Sequence, residues 1–261
     1  MTEYGLIGFP LGHSFSRRFF TEKFRREGID AEYLNFEIPE AGMLRDIVRQ
    51  HPMLRGLNCT IPHKEAIIPL LDDISPEARK IGAVNVIAIR RDVSDGQSQD
   101  GNGCTDGLRL IGYNSDIIGF TQSIRPLLRP HHRKALILGT GGASKAVRHG
   151  LESLGIEPVF VSRKSRPGQL TYADLTPDIL QEYTVVVNCT PVGMSPHTDE
   201  APPLPYEVLT NRHLLYDLIY NPAETLFLKR GAEAGAVTKN GQEMLELQAL
   251  ASWDFWNREG Q

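Results

Sequence analysis

The stretch KALILGTGGASKAV, Lys134–Val147, decides the fold. Ala135–Leu138 is an apolar run of strand length, a glycine-rich turn follows it, and a helical pattern begins within the turn. Gly139 permits the tight bend after the strand, and Gly141 lets the backbone approach a pyrophosphate. The helix N-terminus then offers N–H groups and the positive end of its dipole to phosphates. The stretch therefore predicts a dinucleotide-binding turn, against the alternative of a tight strand–helix turn that binds no ligand.

The next strand indicates which dinucleotide is bound. It reads PVFVSR and ends on Ser162 and Arg163, followed by Lys164, where an NAD site usually carries Asp or Glu. A guanidinium binds a 2′-phosphate by charge-assisted hydrogen bonds, so the sequence favours NADP over the alternative of merely solvated basic side chains. The third glycine of the usual pattern is replaced by Ser144, which is still small enough for close helix–strand packing. The predicted cofactor-binding residues are Gly139, Gly141, Gly142, Ala143, Ser144, Ser162, Arg163 and Lys164.

Composition and charge narrow the class of protein. The chain has 261 residues, which suits two domains of ordinary size. Its net charge of −4 and the absence of long like-charge runs argue against nucleic acid or an anionic membrane as the main partner. Neither a metal site nor a disulfide is expected from Cys59, Cys104 and Cys189, whose spacing fits no zinc or CxxC pattern. Reduced thiols, and an N-terminus without the features of a signal peptide, predict a cytoplasmic protein.

Short apolar runs alternate with helical patterns along the chain, which indicates an α/β fold with mainly parallel sheets. A first domain is expected over residues 1–118, a Rossmann domain over 119–238, and a C-terminal helix over 239–261 that returns to the first domain. Ser16 is predicted to N-cap a helix that ends at Gly28. Strands are expected at Tyr4–Phe9, Tyr33–Ile38, Leu54–Ile61 and Ala83–Arg90, and helices at Glu65–Leu71, Ser115–Leu128, Ala223–Ala234 and Met244–Trp256.

One polar insertion interrupts this alternation. RDVSDGQSQDGNGCTDG, Arg91–Gly107, has almost no apolar side chain to bury. It predicts a long hairpin tip between two strands, because exposed loop tips tolerate insertion. A functional lid is the alternative to an inert extension.

A second motif, NCTIPHKEA, covers Asn58–Ala66. Pro62 has no N–H to donate to a ladder and therefore ends the strand that precedes it. Lys64 then stands at a strand end, which is where ligands bind in α/β sheets. A solvated lysine in an ordinary loop is the alternative interpretation.

Eight motifs together resemble one known family. They occur in the order GFPLGHSFS, NCTIPHKEA, GAVNVI, GYNSD, LGTGGAS, NCTPVGM, LIYNPAETLFL and NGQEMLELQAL. The ordered set resembles shikimate dehydrogenases over essentially the whole chain. The resemblance implies an NADPH-dependent reversible reduction of 3-dehydroshikimate to shikimate, in aromatic amino-acid biosynthesis. It also implies a substrate-binding and catalytic first domain, a cleft between the two domains, and a monomer or homodimer.

The resemblance also implies roles for individual residues. Ser14 and Ser16 match positions that bind the substrate carboxylate, and Thr60, Asn85 and Gln248 match positions that hold ring hydroxyls. Tyr220 matches a substrate-binding position and stands with Asp217 at a strand end that faces the cleft, and Met194 matches a position near the nicotinamide. Simpler interpretations exist: Ser16 as a helix cap, Asn85 as a turn residue, and Gln248 on a solvated helix face.

Lys64 and Asp116 match the catalytic pair of the family. Hydride addition to a carbonyl leaves negative charge on its oxygen, and a cationic donor there stabilises that charge and can deliver a proton. Asp116 would orient the ammonium and keep it charged; a helix cap is the simpler interpretation of this aspartate. His13 and His63 are not expected to act as acid–base groups, because the lysine already serves that role.

Three alternative functions remain open at this point. A quinate/shikimate dehydrogenase with relaxed cofactor use would share most of the motifs. A regulatory homologue that binds the ring compound without turnover would not need Lys64 and Asp116. A methylenetetrahydrofolate-type dehydrogenase also pairs a lysine with a glycine-rich turn, but it gives no reason for Ser14, Ser16 and Asn85.

Overall fold

The structure, a computed structural model, describes residues 1–12, 15–91 and 107–258. Ser14 and His13 lie outside the described residues, as does nearly all of the predicted hairpin tip at 91–107. The chain divides into two compact units. The first unit is Met1–Ser115 with Ala249–Gln261, and the second unit is Asp116–Gln248.

The first unit contains a six-stranded mixed sheet in the order β2-β1-β3-β5-β6-β4. Its strands are β1 (Thr2–Gly8), β2 (Ala31–Glu37), β3 (Leu54–Cys59), β4 (Asp73–Ile74), β5 (Val86–Arg91) and β6 (Leu108–Tyr113). Its helices are α1 (Phe15–Glu27), α2 (Leu44–Gln50), α3 (His63–Ala66) and α4 (Pro76–Ile81), with 3₁₀ turns at Ala41–Met43 and Ile68–Leu70. Strands β2 and β3 run parallel to β1, and β4 runs parallel to β6. By contrast, β5 is antiparallel to both β3 and β6.

The second unit contains a six-stranded parallel sheet in the order β12-β11-β10-β7-β8-β9. Its strands are β7 (Lys134–Leu138), β8 (Glu157–Ser162), β9 (Gln169–Thr171), β10 (Val185–Asn188), β11 (Leu214–Asp217) and β12 (Val237–Lys239). Its helices are α5 (Asp116–Ile124), α6 (Gly142–Ser153), α7 (Pro177–Glu182), α8 (Leu226–Glu233) and the start of α9 (Gln242–Asn257). Short 3₁₀ turns lie at Arg125–Leu127, Tyr172–Asp174 and Tyr206–Val208.

Counted from β7, the second sheet has the Rossmann strand order 3-2-1-4-5-6, with its switch point between β7 and β10. Both faces of its central strands are buried, as expected for a parallel sheet. Alternate residues supply two separate cores: Ile137 and Val187 belong to one, and Leu136, Val186 and Leu215 to the other. The predicted α/β fold with a Rossmann-type part is confirmed.

Several local expectations need correction. Ser16 lies inside α1, which begins at Phe15, so Ser16 is not the N-cap residue. The strand expected at Ala83–Arg90 begins only at Val86, and the N–H of Val84 donates to the carbonyl of Lys64 at 2.8 Å rather than to a neighbouring strand. The strands β4, β9 and β12 were not predicted, since two or three residues are too few to show a period of two.

The end of α9 packs in the first unit. Trp256 lies with its ring centroid 5.0 Å from that of Tyr4 and 5.0 Å from that of Phe20. The guanidinium of Arg90 donates to the carbonyls of Phe255 and Trp256 at 3.1 Å each. Cation–carbonyl bonds at a helix C-terminus satisfy acceptors that have no partner within the helix. Within the described part of the chain, no helix is both long and apolar enough to cross a membrane.

Candidate functional site

The glycine turn of the second unit has the backbone that its sequence predicts. Gly139 has φ +103°, a conformation that side-chain-bearing residues rarely adopt. A Cβ at Gly139 would also lie 3.0 Å from Cγ2 of Thr190 and 3.3 Å from the carbonyl oxygen of Cys189. Only glycine therefore allows both the bend and the close approach of the loop that follows β10.

The start of α6 leaves room for a ligand. A Cβ at Gly141 would meet no atom within 4 Å, so the backbone is open to solvent on this side. Gly141 is the N-cap residue of the 12-residue helix α6 and has no side chain with which to cap it. Ser144 is fully buried, and its hydroxyl donates to the carbonyl of Gly141 at 2.6 Å. Uncapped N–H groups beside open space fit a pyrophosphate, and Gly142 and Ala143 form the first residues of that helix.

The end of β8 lies directly beside this turn. The register aligns Leu138 of β7 with Val161 of β8, and the N–H of Gly139 donates to the carbonyl of Val161 at 2.9 Å. Ser162 follows as the last residue of the strand, while Arg163 and Lys164 are exposed. Burial raises the pKa of Tyr172, and the nearby positive charge of Arg163 opposes that rise. Exposed cationic side chains thus follow the strand that lies beside the turn, which is consistent with the predicted 2′-phosphate site.

The same sheet edge carries the loop after β10 and the end of β11. The register aligns Asn188 with Leu138 on one side and with Asp217 on the other. Met194, in the loop after β10, is 46% exposed, and Tyr220, after β11, is half-buried. Burial raises the pKa of the Cys189 thiol well above its usual range, with the charge of Asp217 adding to the effect. A thiol in that state stays protonated, which favours a packing role for Cys189.

Thr60 and Lys64 follow β3 in the first unit. The N–H of Thr60 donates to the carbonyl of Ile7 at 2.9 Å, and the N–H of His63 donates to the carbonyl of Thr60 at 3.0 Å. His63 is buried, and its Nε2 lies 2.7 Å from the carbonyl oxygen of Ile38. Lys64 is half-buried in the short helix α3. The imidazole is therefore engaged in holding α3 to the end of β2.

Asn85 belongs to a buried network in the first unit, here called the neutral network. Its residues are Ser16, Tyr33, Asn58, Asn85, Ser115 and Ser252. The Oδ1 of Asn85 accepts from the N–H of Ser115 at 2.7 Å, and its Nδ2 donates to the Ser115 hydroxyl at 3.0 Å. The hydroxyls of Ser115 and Ser252 lie 3.1 Å apart. The contacts described for this network join hydroxyl and amide groups.

The neutral network continues from Ser252 to Ser16. The Nδ2 of Asn58 donates to the Ser252 hydroxyl at 2.9 Å, and its Oδ1 accepts from the Tyr33 hydroxyl at 2.8 Å. Tyr33 is also hydrogen-bonded to the side chain of Ser16, and burial raises its pKa far above the usual value. Two predicted substrate-binding residues, Ser16 and Asn85, are thus joined through four residues that the sequence did not single out. Ser252 could have been found by its spacing, since it stands one turn after Gln248 on the same helix.

Asp116 and Gln248 both lie in the second unit. Asp116 is buried and is the first residue of α5, where a carboxylate is stabilised by the helix dipole. Gln248 is also buried, and its Nε2 donates to the carbonyl of Leu245 at 2.9 Å. The expected alternative of a solvated helix face for Gln248 is therefore wrong. The pairing of Lys64 with Asp116 stays a prediction.

The matching family model and the curated relatives agree on one family. Residues 6–87 match the family described as "Shikimate dehydrogenase substrate binding domain". The chain is 35% identical to the shikimate dehydrogenase (NADP(+)) of Symbiobacterium thermophilum, over 97% of this chain and 87% of the relative.

Two solved structures are similar over nearly the whole chain. The shikimate 5-dehydrogenase of Thermus thermophilus, in complex with NADP(H) and shikimate, has a TM-score of 0.80 at 29% identity, covering 98% of this chain and 94% of that one. The shikimate 5-dehydrogenase of Listeria monocytogenes, in complex with shikimate and NAD, has a TM-score of 0.80 at 26% identity. That alignment covers 99% of this chain and 92% of the Listeria chain. Both similarities extend across the two units.

Proposed function

The chain belongs to the shikimate dehydrogenase family, and on that premise we propose that it interconverts 3-dehydroshikimate and shikimate with NADP(H) as its cofactor. The observation that carries the proposal is similarity to NADP(+)-named shikimate dehydrogenases over 97% of the chain. The Rossmann strand order and the glycine turn add independent physical support. The activity is that of an oxidoreductase.

We assign the two units different tasks. The family match at residues 6–87 falls within the first unit, which supports ring binding there. The second unit would bind NADP(H) through Gly139–Ser144, with Ser162, Arg163 and Lys164 at the 2′-phosphate and Met194 at the nicotinamide. Open space at Gly141 and the absence of an acid after β8 fit this cofactor. The expected cytoplasmic location, and the choice between monomer and homodimer, stay predictions.

The ring compound calls for donors to a carboxylate and partners for several hydroxyls. We propose that Ser14 and Ser16 bind the carboxylate, as hydroxyl donors. Ring hydroxyls would be held by amides, a hydroxyl and a phenol, all of which both orient and discriminate polar substrates. These groups belong to Thr60, Asn85, Gln248 and Tyr220.

Lys64 and Asp116 would carry out the proton and charge chemistry. Bound NADPH supplies the hydride. Lys64 would place its ammonium at the carbonyl oxygen, stabilise the negative charge that develops there, and deliver the proton. Asp116 would orient that ammonium and favour its charged form. In the opposite direction Lys64 would take the hydroxyl proton back, since both directions pass through the same transition state.

A direct test is NADPH oxidation by the purified chain with 3-dehydroshikimate, with dehydroquinate, or with neither. We expect turnover with 3-dehydroshikimate and at least tenfold less with dehydroquinate. Comparable rates with both substrates would favour a quinate/shikimate dehydrogenase. Ring binding without turnover would favour the regulatory homologue and contradict the proposal. Because the Listeria relative was crystallised with NAD, the same assay is repeated with NADH to test relaxed cofactor use.

A further inference from the structure

Asp217 is a buried carboxylate that the proposed mechanism does not use. It is the last residue of β11 and is 0% exposed. Its Oδ1 accepts from Nδ2 of Asn188 at 3.1 Å and from the N–H of Ile219 at 3.0 Å, and its Oδ2 accepts from the hydroxyl of Thr225 at 2.6 Å. Burial raises the pKa of Asp217 to about 6, and these three hydrogen bonds oppose the rise. Burying a carboxylate is costly, so the partners of this one indicate what it stabilises.

Asn188 connects Asp217 to the turn that lies beside the predicted cofactor site. Its Oδ1 accepts from the N–H of Thr190 at 3.0 Å and from the Thr190 hydroxyl at 2.7 Å, and its Nδ2 also donates to the carbonyl of Val192 at 3.4 Å. One amide therefore braces both sides of the turn at 190–192. An ionised carboxylate can only accept, so Asp217 fixes which way this amide points. With the amide reversed, its NH₂ group would face the Thr190 N–H, and the turn would lose its acceptor.

The braced turn packs on the glycine turn. Thr190 Cγ2 lies only 3.0 Å from the position of a Cβ at Gly139. The N–H of Cys189 donates to the carbonyl of Leu138 at 2.9 Å, which ties the loop to the end of β7. Because β7 and β10 flank the switch point of the sheet, the loops after both strands face the place where α/β sheets bind dinucleotides.

A purely structural role for Asp217 is the competing interpretation. It rests on the hydrogen bond with Thr225 rather than on the one with Asn188. Thr225 is the N-cap residue of α8, and its hydroxyl accepts from the N–H of Leu228 at 3.4 Å. By binding this hydroxyl, Asp217 could serve only to anchor α8. Asn188 and Thr225 both bind the Asp217 carboxylate but contact different parts of the unit, so substitutions of the two residues can be compared.

We propose that Asp217 is a positioning residue for the cofactor: through Asn188 it holds the turn at 190–192 against Gly139 and so sets the affinity for NADPH. The inference rests on the proposed function only in taking NADPH as the ligand. It requires no turnover and no ring compound. Asp217 itself does not touch the cofactor in this account.

The test is a fluorescence titration of each variant with NADPH alone, beside its melting temperature and its shikimate affinity. Asp217→Ala and Asn188→Ala should each weaken NADPH binding at least tenfold and leave shikimate affinity within twofold. Asp217→Asn keeps an acceptor oxygen for Asn188 and should bind NADPH within threefold of wild type. Thr225→Val should lower the melting temperature and keep NADPH affinity within threefold.

The outcomes separate the two roles. NADPH affinity within threefold of wild type in Asn188→Ala, or an equal loss in Thr225→Val, would overturn the proposal. If Asp217→Ala does not fold, the NADPH affinities of Asn188→Ala and Asp217→Asn serve as the test instead. A wild type that binds NADPH but does not turn over 3-dehydroshikimate contradicts the proposed function and leaves this comparison valid. A wild type that does not bind NADPH overturns both.

Discussion

The two units each bury a polar network, and the networks differ in one physical respect. In the first unit, the contacts described for the neutral network from Ser16 to Asn85 join hydroxyls and amides. In the second unit, the network around Asp217 contains a carboxylate whose pKa is raised to about 6 by burial. A neutral network orients groups at any ordinary pH, whereas a buried carboxylate makes stability depend on pH. The residues proposed to bind the ring and those proposed to bind the cofactor are thus supported by different chemistry, and each support can be tested separately.

The largest expected effect concerns the chemical step and the first unit. Lys64→Ala should lower kcat by about 10²–10⁴-fold, the usual contribution of a positioned proton donor, with shikimate affinity largely kept. Lys80→Ala is the matched control, because Lys80 is an exposed lysine on α4 of the same unit. Steady-state rates and a separate shikimate titration are the measurements. A kcat within about threefold of wild type, less than about 1 kcal/mol of barrier, would exclude a catalytic role for Lys64.

The network around Asp217 should make a pH-dependent contribution to the free energy of unfolding. A raised native pKa means that folded Asp217 binds more protons than unfolded Asp217, so its contribution to stability is lost as pH rises from about 4 to about 6. At about 1.36 kcal/mol per unit, the shift from 3.8 to about 6 corresponds to about 3 kcal/mol. The free energy of unfolding of wild type relative to Asp217→Asn should therefore fall across this window.

Tyr33→Phe is the control for that pH series. The substitution removes one hydroxyl from the neutral network. The difference in free energy of unfolding between wild type and Tyr33→Phe should stay constant over the same pH range. The Cys189 thiol and the Tyr206 phenol interact with the Asp217 charge, and burial raises the pKa of both, so neither titrates in this window. Urea unfolding at several pH values measures both differences. If the difference in free energy of unfolding between wild type and Asp217→Asn does not change with pH, the proposed difference between the two networks is contradicted.

The cofactor preference should depend on Arg163. Losing a charge-assisted bond to the 2′-phosphate costs about 1.5–3 kcal/mol, so Arg163→Ala should raise KM for NADPH about tenfold to a hundredfold. KM for NADH should change far less, and Arg163→Ala/Lys164→Ala should show the larger effect. Arg166→Ala is the control, since Arg166 is an exposed arginine of the same segment. Wild-type preference for NADH, or equal losses with both cofactors, would contradict the NADP assignment.

The smallest expected effect concerns Ser252. Ser252→Ala removes the hydroxyl that accepts from Asn58 and contacts Ser115, and it leaves a buried donor unsatisfied at a cost of about 1–3 kcal/mol. Shikimate affinity should fall a few-fold, while NADPH affinity should stay unchanged. Calorimetric titration with each ligand makes the comparison. A loss for NADPH as large as that for shikimate would show that the neutral network does not act on the ring-binding residues alone.

The sequence predicts local chemistry better than it predicts supporting contacts. The glycine turn could be predicted because the tight bend requires glycine at position 139 and the approach of a pyrophosphate favours it at position 141. Ser16 was expected as a helix cap and lies inside α1, since helix ends are set within one or two residues by competing caps. The contact of Asp217 with Asn188, and that of Ser252 with Asn58, could not be assigned in advance, because each joins residues of different elements far apart in the chain. Such contacts depend on tertiary packing, which no local pattern encodes.

The most direct test of the proposed reaction runs it from shikimate. Purified wild-type protein is incubated with shikimate and NADP⁺, the absorbance of reduced nicotinamide is followed, and the product is compared chromatographically with 3-dehydroshikimate. We predict that NADPH and 3-dehydroshikimate form in equal amounts, with no reduction of NADP⁺ when shikimate is omitted. Shikimate-independent reduction, a different ring product, or no reduction by a folded protein that binds both ligands would contradict the account.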